Sequence, residues 1–430
     1  MSIIIAVMAM SIGLYAQEKE TAQGEPLPVQ QQTGEVRLEL VWEKEIPSTI
    51  KDNWPYPGDL VFLDENGYNV FSSQCQNPEK ALHEKRFLMI QDGKLKLFEG
   101  DEMRLKRETE IKGTYAISKN GHNIAVLDGL TLHLLDWQGN ELAQGKMIGG
   151  GEENHLYPLG NDQTIAISSV WGDGRFHEIA VYVRVGKELK KVFGKEGKYP
   201  TGLFDYAEDG STIFFIYNDK PVDGKSNLGE RIVVDGQGRE IVRYKYQYQG
   251  YKGWVSPQGN YLLECLGGGT LVIRNKQGEL ITEEQGYGGS FVAFSPNEKY
   301  FCVTPGPRRV YFFETETGKM LWQYVDTLSR FRSIAVASQG EYIFLSFTLY
   351  HPTNFSLQEM ADKSLIVFNH TGQILSKSIV SSVKTSAELE FYRWESVAPP
   401  LRVTPDGKFL LVRLPNRLLL YHIIKSGGER

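Results

Sequence analysis

The feature that most limits what this chain can fold into is a short hairpin written many times over. "ISKNGHNIAVLD" begins at Ile117, "VSPQGNYLLECL" at Val255, "FSPNEKYFCVTP" at Phe294 and "VTPDGKFLLVRL" at Val403. Each joins two apolar strands through a tight turn of the Asn-Gly or Asp-Gly kind, the residues that tolerate positive φ. Such turns fall at Asn66-Gly67, Asn120-Gly121, Asn161-Asp162, Asp209-Gly210, Gln258-Gly259, Asn297-Glu298, Gln339-Gly340 and Asp406-Gly407. The seven intervals from Gly67 to Gly407 average about 49 residues, within the range of about 40 to 50 expected of propeller blades.

A second hairpin follows in most repeats, as in "LLDWQGNEL" from Leu134, "VVDGQGREI" from Val233, "VIRNKQGEL" from Val272, "FFETETGKM" from Phe312 and "VFNHTGQIL" from Val367. Two hairpins make a four-stranded sheet that cannot bury both faces alone, so copies must stack, and a closed ring leaves no exposed end. The expectation is an all-β propeller of eight four-stranded blades, with seven as the alternative. The last repeat supplies three strands before Ile424, and "VRLELVWEKEI", Val36 to Ile46, is left over as the outer strand that closes it. In the first repeat, "RFLMIQDGKLKLFEG" fits either the second and third strands or the third and fourth.

With 430 residues, 41% hydrophobic and 23% charged, the chain has the composition of a globular protein. The many Tyr, Phe and Gly suit short strands and tight turns. A formal net charge of −6 provides no global field for nucleic acid or an anionic membrane surface. The basic run Lys187, Lys190, Lys191, Lys195 and Lys198 reads as protection of an outer strand. Three cysteines make no disulfide scaffold, and Cys265 and Cys302 should lie about 10 Å apart with a sheet between them.

Residues 1–16 read as a signal peptide, 17–35 as a flexible leader, 36–425 as one propeller domain and 426–430 as a polar tail. The apolar run Ser2 to Tyr15 is short for a membrane span and is followed by Ala16, so a periplasmic or secreted protein is expected, a retained anchor being the alternative.

"SPQGNYLL" and "TPDGKFLL" resemble the hairpins of WD-repeat-like bacterial propellers such as the periplasmic propeller of the Tol system. "ETETGKMLW", Glu314 to Trp322, resembles the repeat of pyrroloquinoline-quinone dehydrogenases and of the eight-bladed outer-membrane assembly lipoprotein. The resemblance covers most of the chain after Gly58, lives in structural turns and implies fold more than function. The chain departs from it in having no preceding α/β domain, no Cys placed for a lipid and no adjacent cysteines of the quinone-enzyme kind.

In a propeller the first-to-second and third-to-fourth turns share one end, and the second-to-third turns and blade connections share the other. The tight turns belong to the first end. The insertions Gln74 to Lys85, Asn218 to Gly229 and Thr348 to Lys363 are expected at the second, with the connections Lys51 to Pro57, Met147 to His155 and Ser382 to Pro399. Long loops on a rigid ring are where binding concentrates. The candidate contact residues there are Trp54, Tyr56, His155, Trp171, Tyr350, His351, Arg393 and Trp394.

"DKPVDGKSNLGE" places Asp219, Asp223 and Glu230 at calcium-loop spacing, but Pro221 occupies a ligand position. No nucleophile elbow, phosphate loop, dinucleotide fingerprint or zinc spacing occurs, and no cofactor is implied. The expectation is therefore a non-catalytic, monomeric module holding a protein or glycan partner. The alternative is a glycan hydrolase or lyase, or a quinone-dependent oxidoreductase, with its site at the channel mouth.

Overall fold

The computed structural model describes residues 36–45, 60–147, 153–171, 176–197, 202–217, 229–246, 250–266, 269–287, 291–306, 308–326, 329–349, 362–382, 401–414 and 417–425. The regular structure among them is β-strand apart from one short helix, α1, Pro78–Glu84. The strands pair in antiparallel units of four consecutive strands, at 60–110, 114–146, 153–197, 202–246, 250–284, 291–325 and 329–382. A last unit, 401–425, has three strands of its own and takes its fourth from the N-terminal side: β1, Val36–Glu45, pairs antiparallel with Arg417–Lys425.

Six units are separate sheets. The second and third merge into one eight-stranded sheet through a single parallel pair, Glu188 with Gln144, on their outer strands. Gly145 permits that approach, because a Cβ there would stand 2.5 Å from the Leu189 carbonyl oxygen. The lysine-bearing strand Glu188–Gly197 is thus an outer strand, and part of its edge is covered by the preceding unit.

The buried side chains explain why the units form a ring. Alternate residues of a strand point to opposite faces. In the seventh unit Phe344 and Leu345 are both fully buried, yet Phe344 packs with Leu410 of the last unit while Leu345 packs with Phe312 of the sixth. Every unit is sandwiched in this way, and the apolar layers join neighbours in chain order from the first unit to the last. One further layer, with Trp42, Phe409, Leu411 and Leu420 on one side and Phe62, Phe87 and Met89 on the other, joins the last unit back to the first. The molecule is a β-propeller: first strands of the second and third, fourth and fifth, sixth and seventh, and seventh and last units touch, which puts the first strands nearest the axis.

The pairing of third with fourth strand is interrupted at the same place in every unit, for example between Leu97 and Phe98, Ile273 and Arg274, and Phe312 and Phe313. The pairing of β1 carries the same irregularity, between Leu40 and Trp42, so β1 occupies the fourth-strand position of the repeat. The extra residue, Val41, inverts the alternation of β1. Val36 therefore packs toward the seventh unit and Trp42 toward the first, where its ring stacks on Phe87 at 5.3 Å and meets Phe62 edge-on at 5.7 Å.

The alternative left open for the first repeat is resolved, and with it the expected place of the insertion Gln74 to Lys85 is overturned. "RFLMIQDGKLKLFEG" forms the second and third strands of its unit, Arg86–Gln91 and Lys94–Glu99, not the third and fourth. The insertion Gln74 to Lys85 therefore joins the first strand to the second and belongs to the end with the tight turns, opposite to the other insertions. Cys265 packs between the fifth and sixth units and Cys302 between the sixth and seventh, so a sheet stands between the two thiols, which form no disulfide.

Candidate functional site

The turn end of the channel is built from the eight first-to-second turns and one strap, residues 64–85. Asn77 caps α1 by accepting from the Lys80 amide at 3.1 Å, Pro78 occupies the first turn, and Lys85 ends the helix with φ of 49°. Ala81 and Leu82 are buried in the apolar layer between the last unit and the first, and Glu79 pairs with Lys408 at 2.8 Å. From that anchorage the strap extends over the turns of the second and fourth units. Asn69 bonds the Asn120 carbonyl through its amide at 2.5 Å, and Gln74 accepts from the Asn120 side chain. Ser72 Oγ, Ser73 N and Ser73 Oγ then donate to one oxygen, Oε2 of Glu208, at 2.9, 2.9 and 2.8 Å.

A second connection runs across the same end. Lys119, in the turn of the second unit, bonds the Asp205 carboxylate and, at 2.6 Å, the Tyr206 carbonyl of the fourth unit. Asp205 also accepts from the Val255 amide of the fifth unit at 2.9 Å. Beside these, His122 stacks on Tyr68 at 4.5 Å and faces Asp162 at 3.2 Å. The Asp162 partner raises the His122 pKa above its ordinary value, and His122 in turn lowers that of Asp162. The His122 contacts and the Asp205–Val255 bond tie neighbouring units together at the turn end, while Lys119 reaches past the third unit to the fourth.

The other end is where the long connections attach. Trp54, Tyr56, Tyr350, His351, Arg393 and Trp394 lie outside the described residues, as do Asp219 and Asp223. His155 is exposed on the innermost strand of the third unit, Glu153–Pro158, in register with Ser168. Trp171 ends the second strand of the same unit, paired with Phe176, where that unit's second-to-third connection begins. Both therefore belong to the long-connection end. Glu230 lies at the start of Gly229–Asp235, with one oxygen 3.0 Å from Arg243 and the other 3.9 Å from Lys245. Its carboxylate serves an ion pair between strands.

Sequence reasoning missed the strap and its partners Glu208, Asn120 and Lys119. The signal was present in "NPEKALHEK" from Asn77, a helix cap followed by helix-forming residues.

Burial pushes the Cys75 thiol up to about 12 and raises that of Cys302, so neither is a thiolate near neutral pH. Trp322, at the end of "ETETGKMLW", donates to the His370 carbonyl at 3.0 Å and stacks between Phe312 and Phe368. Its role is to lock the sixth unit to the seventh. No group of three His, Cys, Asp or Glu side chains among the described residues is placed to hold a metal ion.

No protein-family model matches the sequence, and no curated protein matches it. Among solved structures, the chain is similar to BamB from Moraxella catarrhalis, with 12% identity, TM-score 0.49, and 90% of this chain and 100% of that one covered. It is also similar to Saccharomyces cerevisiae Sqt1, with 10% identity, TM-score 0.47 and coverage of 79% and 93%. A third is the β-propeller domain of Myceliophteria thermophila Cps50 (Swd1), with 10% identity, TM-score 0.44 and coverage of 90% and 100%.

Proposed function

We propose that the protein is an exported, eight-bladed, non-catalytic propeller that works as a monomer and holds a protein partner, or the glycan of one, on its long-connection end. The eight-blade count treats the second and third units as two blades that touch at a single residue pair. The observation that carries the functional reading is the occupancy of the turn end. There the chain's own strap, fastened to Glu208, lies across turns that a partner would otherwise reach. The connections at the other end are longer, and their sequences concentrate Trp, Tyr, His and Arg, the residue types that anchor interfaces.

The test is capture of partners from envelope extract by the mature chain, beside a variant with alanine at Trp171, His351 and Trp394. A loss of about 2 kcal/mol for each central aromatic is enough to abolish recovery, while the melting curve reports whether the ring is intact. Equal recovery by both proteins, or turnover of a sugar or alcohol, would contradict the binding-module reading.

A further inference from the structure

The strap does more than connect two strands. Its apex leaves the first unit and reaches Glu208 in the fourth, two units beyond the neighbouring one, while Val70 and Leu82 on either side of it are buried in the seam of the last and first units, so the strap spans the channel mouth. Its two ends are held differently. The α1 side is fixed by apolar packing of Ala81 and Leu82, whereas the apex is held on the far side by three hydrogen bonds converging on one carboxylate oxygen. Hydrogen bonds to a charged acceptor are stronger than neutral ones, yet all three fail together if that single acceptor is lost. Below the apex, the link from Lys119 to Asp205 and Tyr206 narrows the same opening.

We propose that the strap is a plug latched by Glu208, which seals the turn-end mouth and makes the channel a cup open only at the long-connection end. This deepens the reading of that end as the binding face, since a partner entering the channel has one way in. The latch is local: when the Glu208 clasp breaks, the apex is left to the Gln74–Asn120 bond, which has an uncharged acceptor, and releases, while α1 and the ring stay in place.

Cys75 provides the readout. It sits in the strap just after the clasp, is 5% exposed, and has a thiol whose pKa burial and the nearby Asp64 raise. The experiment is alkylation of the isolated full chain with N-ethylmaleimide, with each modified thiol located by mass spectrometry. In the wild type, Cys75 is expected to react at least about tenfold more slowly than in the urea-unfolded chain. Glu208→Ala should accelerate it at least about tenfold, and half-buried Ser73→Ala should accelerate it less. Cys265 and Cys302, buried between sheets, should stay unmodified in all three proteins.

Fast modification of Cys75 in the wild type would overturn the plug, and an unchanged rate in Glu208→Ala would overturn the latch. Simultaneous modification of Cys75 and Cys302 in the wild type would mean that the strap opens only with the whole ring, which also contradicts the proposal. Should Glu208→Ala not fold, Ser73→Ala carries the comparison. No partner enters this experiment, so its outcome is separate from that of the capture test.

Discussion

A chain lacking Val36–Glu45 is expected to lose about 5 kcal/mol of stability or more and to unfold at a markedly lower denaturant midpoint. β1 contributes ladder hydrogen bonds to Arg417–Lys425 along almost its whole length, each worth about 0.5–1.5 kcal/mol net. It also buries Val36 and Trp42 on opposite faces, and burial of a large apolar side chain contributes about 1.5–3 kcal/mol. The loss is greater than that of an ordinary edge strand because Trp42 belongs to the seam. Without it, Phe87 loses its stacking partner and Phe62 its edge-on one, and the grip of the last unit on the first is left to Phe409, Leu411, Leu418 and Leu420. Trp42→Ala alone should account for about 3–5 kcal/mol of this effect. An unchanged midpoint for the truncated chain, measured by urea titration, would mean that the ring closes in some other way.

Replacement of Glu264 by alanine is expected to cost about 3–5 kcal/mol. Glu264 is 1% exposed, Arg231 is fully buried, and Arg231 Nε lies 2.6 Å from Glu264 Oε2 across the contact of the fourth and fifth units. The second carboxylate oxygen accepts from the Tyr244 hydroxyl at 3.0 Å, and burial keeps that hydroxyl protonated by raising its pKa well above the ordinary value. The apolar layer between these units is built from a short set of side chains, Ala207, Phe214, Val233, Val255 and Leu262, so the ion pair fills space that elsewhere holds hydrocarbon. Removing one partner strands the other's charge in a dry contact. Replacing both, Arg231→Met with Glu264→Leu, should restore most of the loss, because desolvation and attraction disappear together. Equal destabilisation of the single and paired variants would show that shape, not charge, is what the pair supplies.

The ring was legible in the sequence because its turns obey a local rule. Positive φ at Gly121, Gly259 and Gly407, and at Asp162 and Glu298 where glycine is absent, marks the same backbone position in successive repeats. The leftover strand before the first repeat was legible for a counting reason, since the last repeat was one strand short. The direction of Trp42 was not legible. Strict alternation from Val36 puts it on the face of Val36, and only the extra residue at Val41 sends it to the other side. The strap was misplaced for a similar reason: the hairpin at Asp92-Gly93 has the local sequence of any tight turn, and nothing local states which two strands of a sheet it joins. The clasp on Glu208 depends on ring geometry, which brings residues 135 positions apart to one mouth, and no local pattern encodes it. Of the candidate contact residues, His155 and Trp171 lie among the described residues, where the long connections attach.

The central claim is that partners meet this propeller at its long-connection end and not at its turn end. Site-specific photo-crosslinking in envelope extract tests it most directly, with a photoreactive residue placed at His351 or Trp394 in two proteins and at Gln258 or Gln339, in the tight turns, in two others. The account predicts covalent adducts with envelope macromolecules from the first pair and none from the second. Adducts from Gln258 or Gln339, with none from His351 or Trp394, would contradict it.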